Sequence, residues 1–223
     1  MAPGPPLVTR SSWARFWRRR LRGRRARRRL AGHRLDRTLG PAVTRHIVLL
    51  RGINLAQRNR IAMPELRDAL EEAGFRDVRT YVQSGNVVLS STRSPERVAR
   101  DVCALIARRF GFEIAVVVRS RAELEEVVRR NPLARVATNP SRYLVTFVSG
   151  EPPANFADDL KAVATQEPFA IIGREVYSWH PDGVGRSPLW ERLAGKRLGV
   201  AGTSRNWTTV TTLLAMANER IAG

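Results

Sequence analysis

The order strand, helix, two strands around a tight turn, helix and strand occurs between residues 46 and 119 and recurs, less cleanly, from residue 143 onward. This doubled βαββαβ order predicts an α+β chain of two ferredoxin-like domains, α-β plaits whose antiparallel sheets carry their helices on one face. Two local signals support it. Gln83-Ser84-Gly85-Asn86 separates two β-branched runs as a hairpin would, and Ser94-Pro95-Glu96 places an N-cap and a first-turn proline where a helix should open.

In the first half, residues 46–53 form an apolar run with strand character. Met63, Leu66, Leu70 and Ala73 recur at helical spacing, and Gly74 stops that helix. Residues 78–82 and 87–91 are the hairpin strands, residues 94–110 a helix ended by Gly111, and residues 114–119 the closing strand. The second half opens with a helix at 121–130 that ends before Asn131-Pro132. Residues 143–149 alternate as a strand, and residues 155–165 read as a helix. A hairpin follows at 169–172 and 176–179, turning around Gly173-Arg174. A short helix at 189–193, a strand near 200–203 and a terminal helix at 208–221 complete the chain. The expected domains are therefore residues 43–120 and 121–223, the second with extra helices at its ends.

At 223 residues there is room for two small cores. No apolar run approaches the ~18 residues needed to cross a bilayer, so a soluble cytoplasmic protein is expected. The single Cys103, within an apolar helix, rules out an internal disulfide and is expected in the core; His33, His46 and His180 are too scattered for a structural zinc site, so no metal is expected.

The net charge of +19 divides unevenly. Residues 1–42 hold 13 Arg against Asp36 alone, while the remainder is only mildly basic. This Arg-rich, disordered extension has several readings. Trp13, Phe16, Trp17 and Leu21 could line a basic amphipathic helix on membrane or RNA, and the composition also resembles a transit peptide. The favoured reading is a start codon placed too early. Only Lys161 and Lys196 among 39 basic residues are Lys, as GC-rich codons dictate, and Val43 stands where an alternative GTG start would be.

The chemistry concentrates in short polar strings. In this topology the exit of strand one lies beside the start of strand three, so Arg51-Gly52-Ile53-Asn54 and Gln83-Ser84-Gly85-Asn86 should meet at one sheet edge. The loop at 55–60 adds Gln57, Arg58, Asn59 and Arg60 there. Guanidinium forks, amides and a hydroxyl suit an anion or a planar polar group. No carboxylate, histidine or thiol stands beside Ser84, which favours binding over catalysis. A third string, Thr203-Ser204-Arg205-Asn206-Trp207, precedes the last helix; Asn206 or Thr208 could cap it, or Arg205 and the free amides could seat a second anion.

A purely structural reading stands beside this one, because Gly85 suits a tight turn and Asn54 could simply satisfy backbone groups at a strand end. RNA binding is the alternative for a basic plait. The central strands Ile47-Val48-Leu49-Leu50 and Val87-Val88-Leu89 carry no aromatic on which a base could stack, and suit packing against the other domain instead. Gly183-Val184-Gly185 is too short for a dinucleotide fingerprint and no P-loop occurs, so no cofactor is expected. In a third reading, an enzyme, the acid or base would come from Glu175, Asp182 or His180 in the second half.

Taken together, residues 49–54 (LLRGIN), Leu66-Arg67, residues 80–88 (TYVQSGNVV) and residues 204–210 (SRNWTTV) resemble the DUF 1697 family, a domain of unknown function. The resemblance runs over about residues 45–221. It implies paired α-β plaits, and its motif residues fall here on Arg51, Gly52, Asn54, Asn59, Gln83, Ser84, Gly85, Asn86, Arg205, Asn206 and Trp207. The chain departs from the pattern after Asn54, where Ala56-Gln57 replaces a frequent glycine pair. The function expected is the binding of a small anionic or nucleotide-like ligand through Arg51, Asn54, Asn59, Gln83, Ser84, Asn86, Arg205 and Asn206.

Overall fold

The computed structural model describes residues 42–54, 59–164, 166–195 and 199–219. The extension expected at residues 1–42 therefore lies outside the described residues except for Ala42, as do Gln57 and Arg58 of the candidate loop. The first unit runs β1 (Thr44–Leu50), α1 (Met63–Glu72), β2 (Arg76–Tyr81), β3 (Asn86–Ser91), α2 (Pro95–Phe110) and β4 (Val116–Ser120). The second follows helix α3 (Arg121–Arg130) and runs β5 (Tyr143–Val148), α4 (Phe156–Lys161), β6 (Phe169–Ile172), β7 (Glu175–Trp179), α5 (Pro188–Ala194) and β8 (Gly202–Asn206), and helix α6 (Trp207–Asn218) ends it.

Local chemistry sets these boundaries. Ser94 Oγ accepts a hydrogen bond from Arg97 N at the start of α2, Pro95 begins the helix, and Gly111 ends it at φ +78°. Ser120 and Glu123 form a reciprocal capping box at α3, so the chain turns from β4 into a helix within one residue. Helix α4 is shorter than the expected 155–165. The chain tightens after Lys161, where Val163 N and Ala164 N both donate to Leu160 O.

Both sheets are antiparallel with equivalent strand order, β2-β3-β1-β4 and β6-β7-β5-β8, which makes each unit an α-β plait. Alternation along each strand then sorts residues between two faces. In the first sheet Val48, Leu50, Val87, Leu89, Val116 and Val118 face α1 and α2, where they bury Leu66, Leu70, Val102 and Ile106. Ile47, Leu49, Val88 and Val117 face the other way and share a core with Tyr143, Val145, Phe147, Tyr177 and Trp179 of the second sheet. Helices α3 and α6 supply Leu124, Val127, Val210 and Leu213 to the same core, α3 packing on β1 and β4 and α6 on strands of both sheets. A third cluster seats α4 and α5 on the far side of the second sheet through Phe156, Leu160, Leu189, Leu193 and Val176.

The aliphatic open face predicted from β1 and β3 is thus covered. Each such side chain taken from water contributes about 1.5–3 kcal/mol, an upper estimate against a compact unfolded chain. This core joins the two sheets within one compact unit, Gly40–Gly223. Among the described residues it leaves no free sheet face on which bases could stack. Among the described residues no helix is long and apolar enough to cross a membrane.

His46 on β1 is 1 % exposed, and neither ring nitrogen has a hydrogen-bond partner. Burial drives its pKa below the ordinary 6.5, outweighing the Ser91 and Arg93 backbone and the Glu123 and Glu96 charges that pull it up. The unfolded chain therefore binds more protons below pH 6.5, and stability should fall as pH drops from about 6.5 toward the lowered folded value. Denaturant unfolding between pH 7.5 and 5 checks this: His46→Leu should flatten the slope in that window, and an unchanged slope assigns the loss elsewhere.

Candidate functional site

The polar strings meet where the topology requires. Leu49 pairs with Asn86 and Leu50 N donates to Gly85 O at 2.8 Å, so the exit of β1 lies against the start of β3. Asn54, at φ +53°, ties the edge together. Its Nδ2 donates to Gln83 O (2.8 Å) and Ile61 O (3.0 Å), and its Oδ1 accepts from Ile61 N at 2.9 Å. Asn59 closes the same loop, donating from Nδ2 to Gly52 O at 3.3 Å and accepting from Asn54 N through its carbonyl.

Asn86 is wholly buried, its Nδ2 donating to Ser84 Oγ (2.9 Å) and Tyr81 O (3.2 Å). Its Oδ1 accepts from Arg205 Nε. Arg205 reaches this point from the second sheet. Its Nη2 donates to Leu50 O (2.9 Å) and Ser84 O (3.1 Å), while Nη1 holds Thr203 Oγ1 and Ser204 O. Burial pulls its guanidinium down to about 10, which leaves it charged at neutral pH.

The strand expected near 200–203 extends through the Thr203–Asn206 string as β8, with Val145 opposite Arg205 and Leu144 opposite Asn206. Four polar side chains in a row gave little strand signal, because their partners are polar: Thr146 and Ser204 share a hydroxyl hydrogen bond at 2.7 Å, and Arg205 ends on carbonyls. Asn206 caps α6, its Oδ1 accepting from Thr209 N at 2.9 Å, so the helix amide that a second anion seat would use is engaged. Trp207 stacks on Tyr143 with ring centroids 4.8 Å apart.

Arg51 is half-buried and takes different partners from Arg205. Its Nη2 donates to Ala194 O (2.8 Å) and Gly195 O (3.1 Å), the carbonyl end of α5, where a cation is favoured. Gln83 and Ser84 remain exposed, as does Arg60. Among the described residues neither Arg51, Arg60 nor Arg205 has a carboxylate within salt-bridge distance, so the edge carries uncompensated positive charge.

The hairpin tip holds a feature the sequence reading passed over. Val82 is 54 % exposed and sits at φ +49°, a left-handed conformation that costs a β-branched residue on the order of 1–3 kcal/mol. Three donors hold the turn in that shape. Asn86 grips the carbonyl of Tyr81, Asn54 that of Gln83 and Arg205 that of Ser84.

Sequence reasoning also missed Arg119, 1 % exposed on β4. Its Nε donates to Glu175 Oε1 on β7 at 2.8 Å, and its Nη2 to Val148 O at 2.8 Å. The alternation in Val116-Val117-Val118-Arg119 could have revealed it, since Arg119 falls on the face of Val117, which is buried. Glu175, considered above as an acid or base, is therefore engaged in an ion pair. His180 is sealed from solvent. Its Nε2 meets Ser178 Oγ at 2.9 Å and its Nδ1 meets Glu167 Oε1 at 2.7 Å and Ser187 Oγ at 3.0 Å. Its polar atoms match a hydrolytic serine-histidine-carboxylate chain, yet Ser178 is as buried as His180 and presents no nucleophile to a substrate. Asp182 is exposed. Cys103 is half-buried and packs against the first core, with its thiol donating to Ile114 O; burial pushes its pKa up, away from nucleophilic chemistry.

Residues 43–177 match a family described as a protein of unknown function, DUF1697. A solved structure, that of a conserved bacterial protein from Streptococcus pneumoniae, is similar with a TM-score of 0.65 at 21% identity, over 79% of this chain and 100% of that one. At that identity the likeness speaks to the fold. No curated protein matches the chain.

Proposed function

We propose, from the premise that the chain belongs to the DUF1697 family of proteins of unknown function, that it binds a small anionic, nucleotide-like ligand at the edge where β1 meets the β2–β3 hairpin. The observation that carries this reading is the guanidinium groups of Arg51 and Arg205, each held on backbone carbonyls and, among the described residues, with no carboxylate within salt-bridge distance. Carbonyl dipoles orient a cation without cancelling its charge, so the field beyond the edge favours an anion. Gln83 and Ser84 are the ligand's direct contacts in this proposal. Asn54, Asn59, Asn86 and Asn206 enter it as the frame, since their amides already hold backbone groups. Two plait domains divided near residue 120 and a cytoplasmic setting belong to the same reading.

Thermal-shift measurements with nucleotides and phosphorylated metabolites test it. At least one such ligand should raise the melting temperature of the wild type. Gln83→Ala combined with Ser84→Ala should lower the ligand-free melting temperature only modestly, since the buried Asn86 Nδ2 loses Ser84 Oγ but keeps the Tyr81 carbonyl, and should lose the ligand's shift. Stabilisation by no ligand, or an undiminished shift in the double variant, would sink the proposal.

A further inference from the structure

We infer that Val82 and Gln83 form a specificity tip that takes the heterocyclic base of a nucleoside phosphate, an inference that rests on the anion-binding reading above. The turn needs a residue at positive φ, which Gly, Asn or Asp would supply without strain. Val82 does so at φ +49° with half its surface in water, so neither folding nor solubility accounts for it. The strained shape is nonetheless held by side chains from three separate segments, Asn54, Asn86 and Arg205, each gripping a carbonyl of residues 81–84. A strained residue kept in place by its surroundings is the arrangement found at ligand clamps.

What the tip presents then defines its ligand. Val82 offers a small apolar face, and the exposed amide of Gln83 beside it offers one acceptor and two donors. A planar heterocycle with a polar edge satisfies both, lying on the methyls and pairing with the amide. The phosphate of the same molecule would lie in the field of Arg205, whose Nη2 holds the Ser84 carbonyl at the base of the tip. A sugar phosphate lacking the base satisfies only the second half.

Calorimetric titration of the full chain at fixed ionic strength, with the 5′-monophosphates of adenosine, guanosine, cytidine and uridine against ribose 5-phosphate, separates the two halves. At least one nucleotide should bind ten-fold or more tightly than ribose 5-phosphate. Val82→Gly should erase that increment, leave ribose 5-phosphate affinity unchanged and raise the ligand-free melting temperature by a few degrees; Val82→Asn, which also tolerates the turn, should do the same. Ribose 5-phosphate binding as well as every nucleotide would overturn the specificity tip and leave the anion site standing. A nucleotide increment that survives both variants would overturn it equally. Binding by none of the five would remove the anion-binding reading and this inference together.

Discussion

Glu175→Ala is expected to lower the unfolding free energy by about 3–5 kcal/mol, because it strips the counter-charge from a guanidinium that water cannot reach. The Arg119 side chain is 2 % exposed and that of Glu175 14 %, with 2.8 Å between Nε and Oε1. Arg119 belongs to β4 of the first sheet and Glu175 to β7 of the second, so the charge lies within the join between the sheets. Hydrogen bonds to Val148, Arg174 and Val118 carbonyls would remain, but carbonyls offset only part of the desolvation of a full charge. The presence of an ion pair does not by itself argue for high stability. Replacing both partners together, Arg119→Met with Glu175→Leu, should recover most of the loss, since two apolar groups of similar volume need no partner. Urea unfolding of the two variants settles the matter. A loss under about 1 kcal/mol in Glu175→Ala would mean that water reaches Arg119 and that the pair is a surface one.

The contrast between the two joining arginines explains which parts of the molecule are legible in sequence. The βαββαβ order is readable because apolar side chains recur with the period of the element that buries them, as at Val48, Leu50, Leu66 and Leu70. The meeting of Arg51–Asn54 with Gln83–Asn86 is readable because strand order alone brings the end of β1 to the start of β3. Strand β8 is harder to read, since Ser204 and Arg205 point at a hydroxyl and at carbonyls, and hydrophobic periodicity has nothing to register. Arg119 lies between these cases: its position in an alternating strand marks it as buried, but only Glu175, 56 residues away, explains why a charge is tolerated there. The convergence of the polar strings at one edge was legible. Which of their side chains hold backbone groups and which face solvent was not. Asn54, Asn86 and Gln83 are equally polar in sequence, yet two hold carbonyls and one is left facing solvent.

Gly85→Ala is expected to cost about 3 kcal/mol or more, and the reason is steric before it is conformational. Gly85 lies at φ +72°, which alone costs an alanine roughly 1 kcal/mol or somewhat more. An added Cβ would also fall 2.7 Å from Leu50 Cβ and 2.9 Å from Ile53 Cδ1 and Cγ1. The Leu50 Cβ is fixed to the backbone of β1, so the contact cannot be relieved by a rotamer change and one strand must move away from the other. That movement would pull the Gly85 carbonyl off Leu50 N and the Ser84 carbonyl off Arg205, loosening the frame that holds the hairpin tip. Gly52→Ala provides the control, because Gly52 has a similar φ of +67° and no atom of the described residues within 4 Å of where its Cβ would be. It should cost only the conformational part, about 1–2 kcal/mol. Denaturant unfolding of both variants measures the difference, which isolates the close approach of β3 to β1. Equal losses would show that the strand edge yields by some tenths of an ångström, and that the packing beneath the candidate site is looser than a 2.7 Å clash implies.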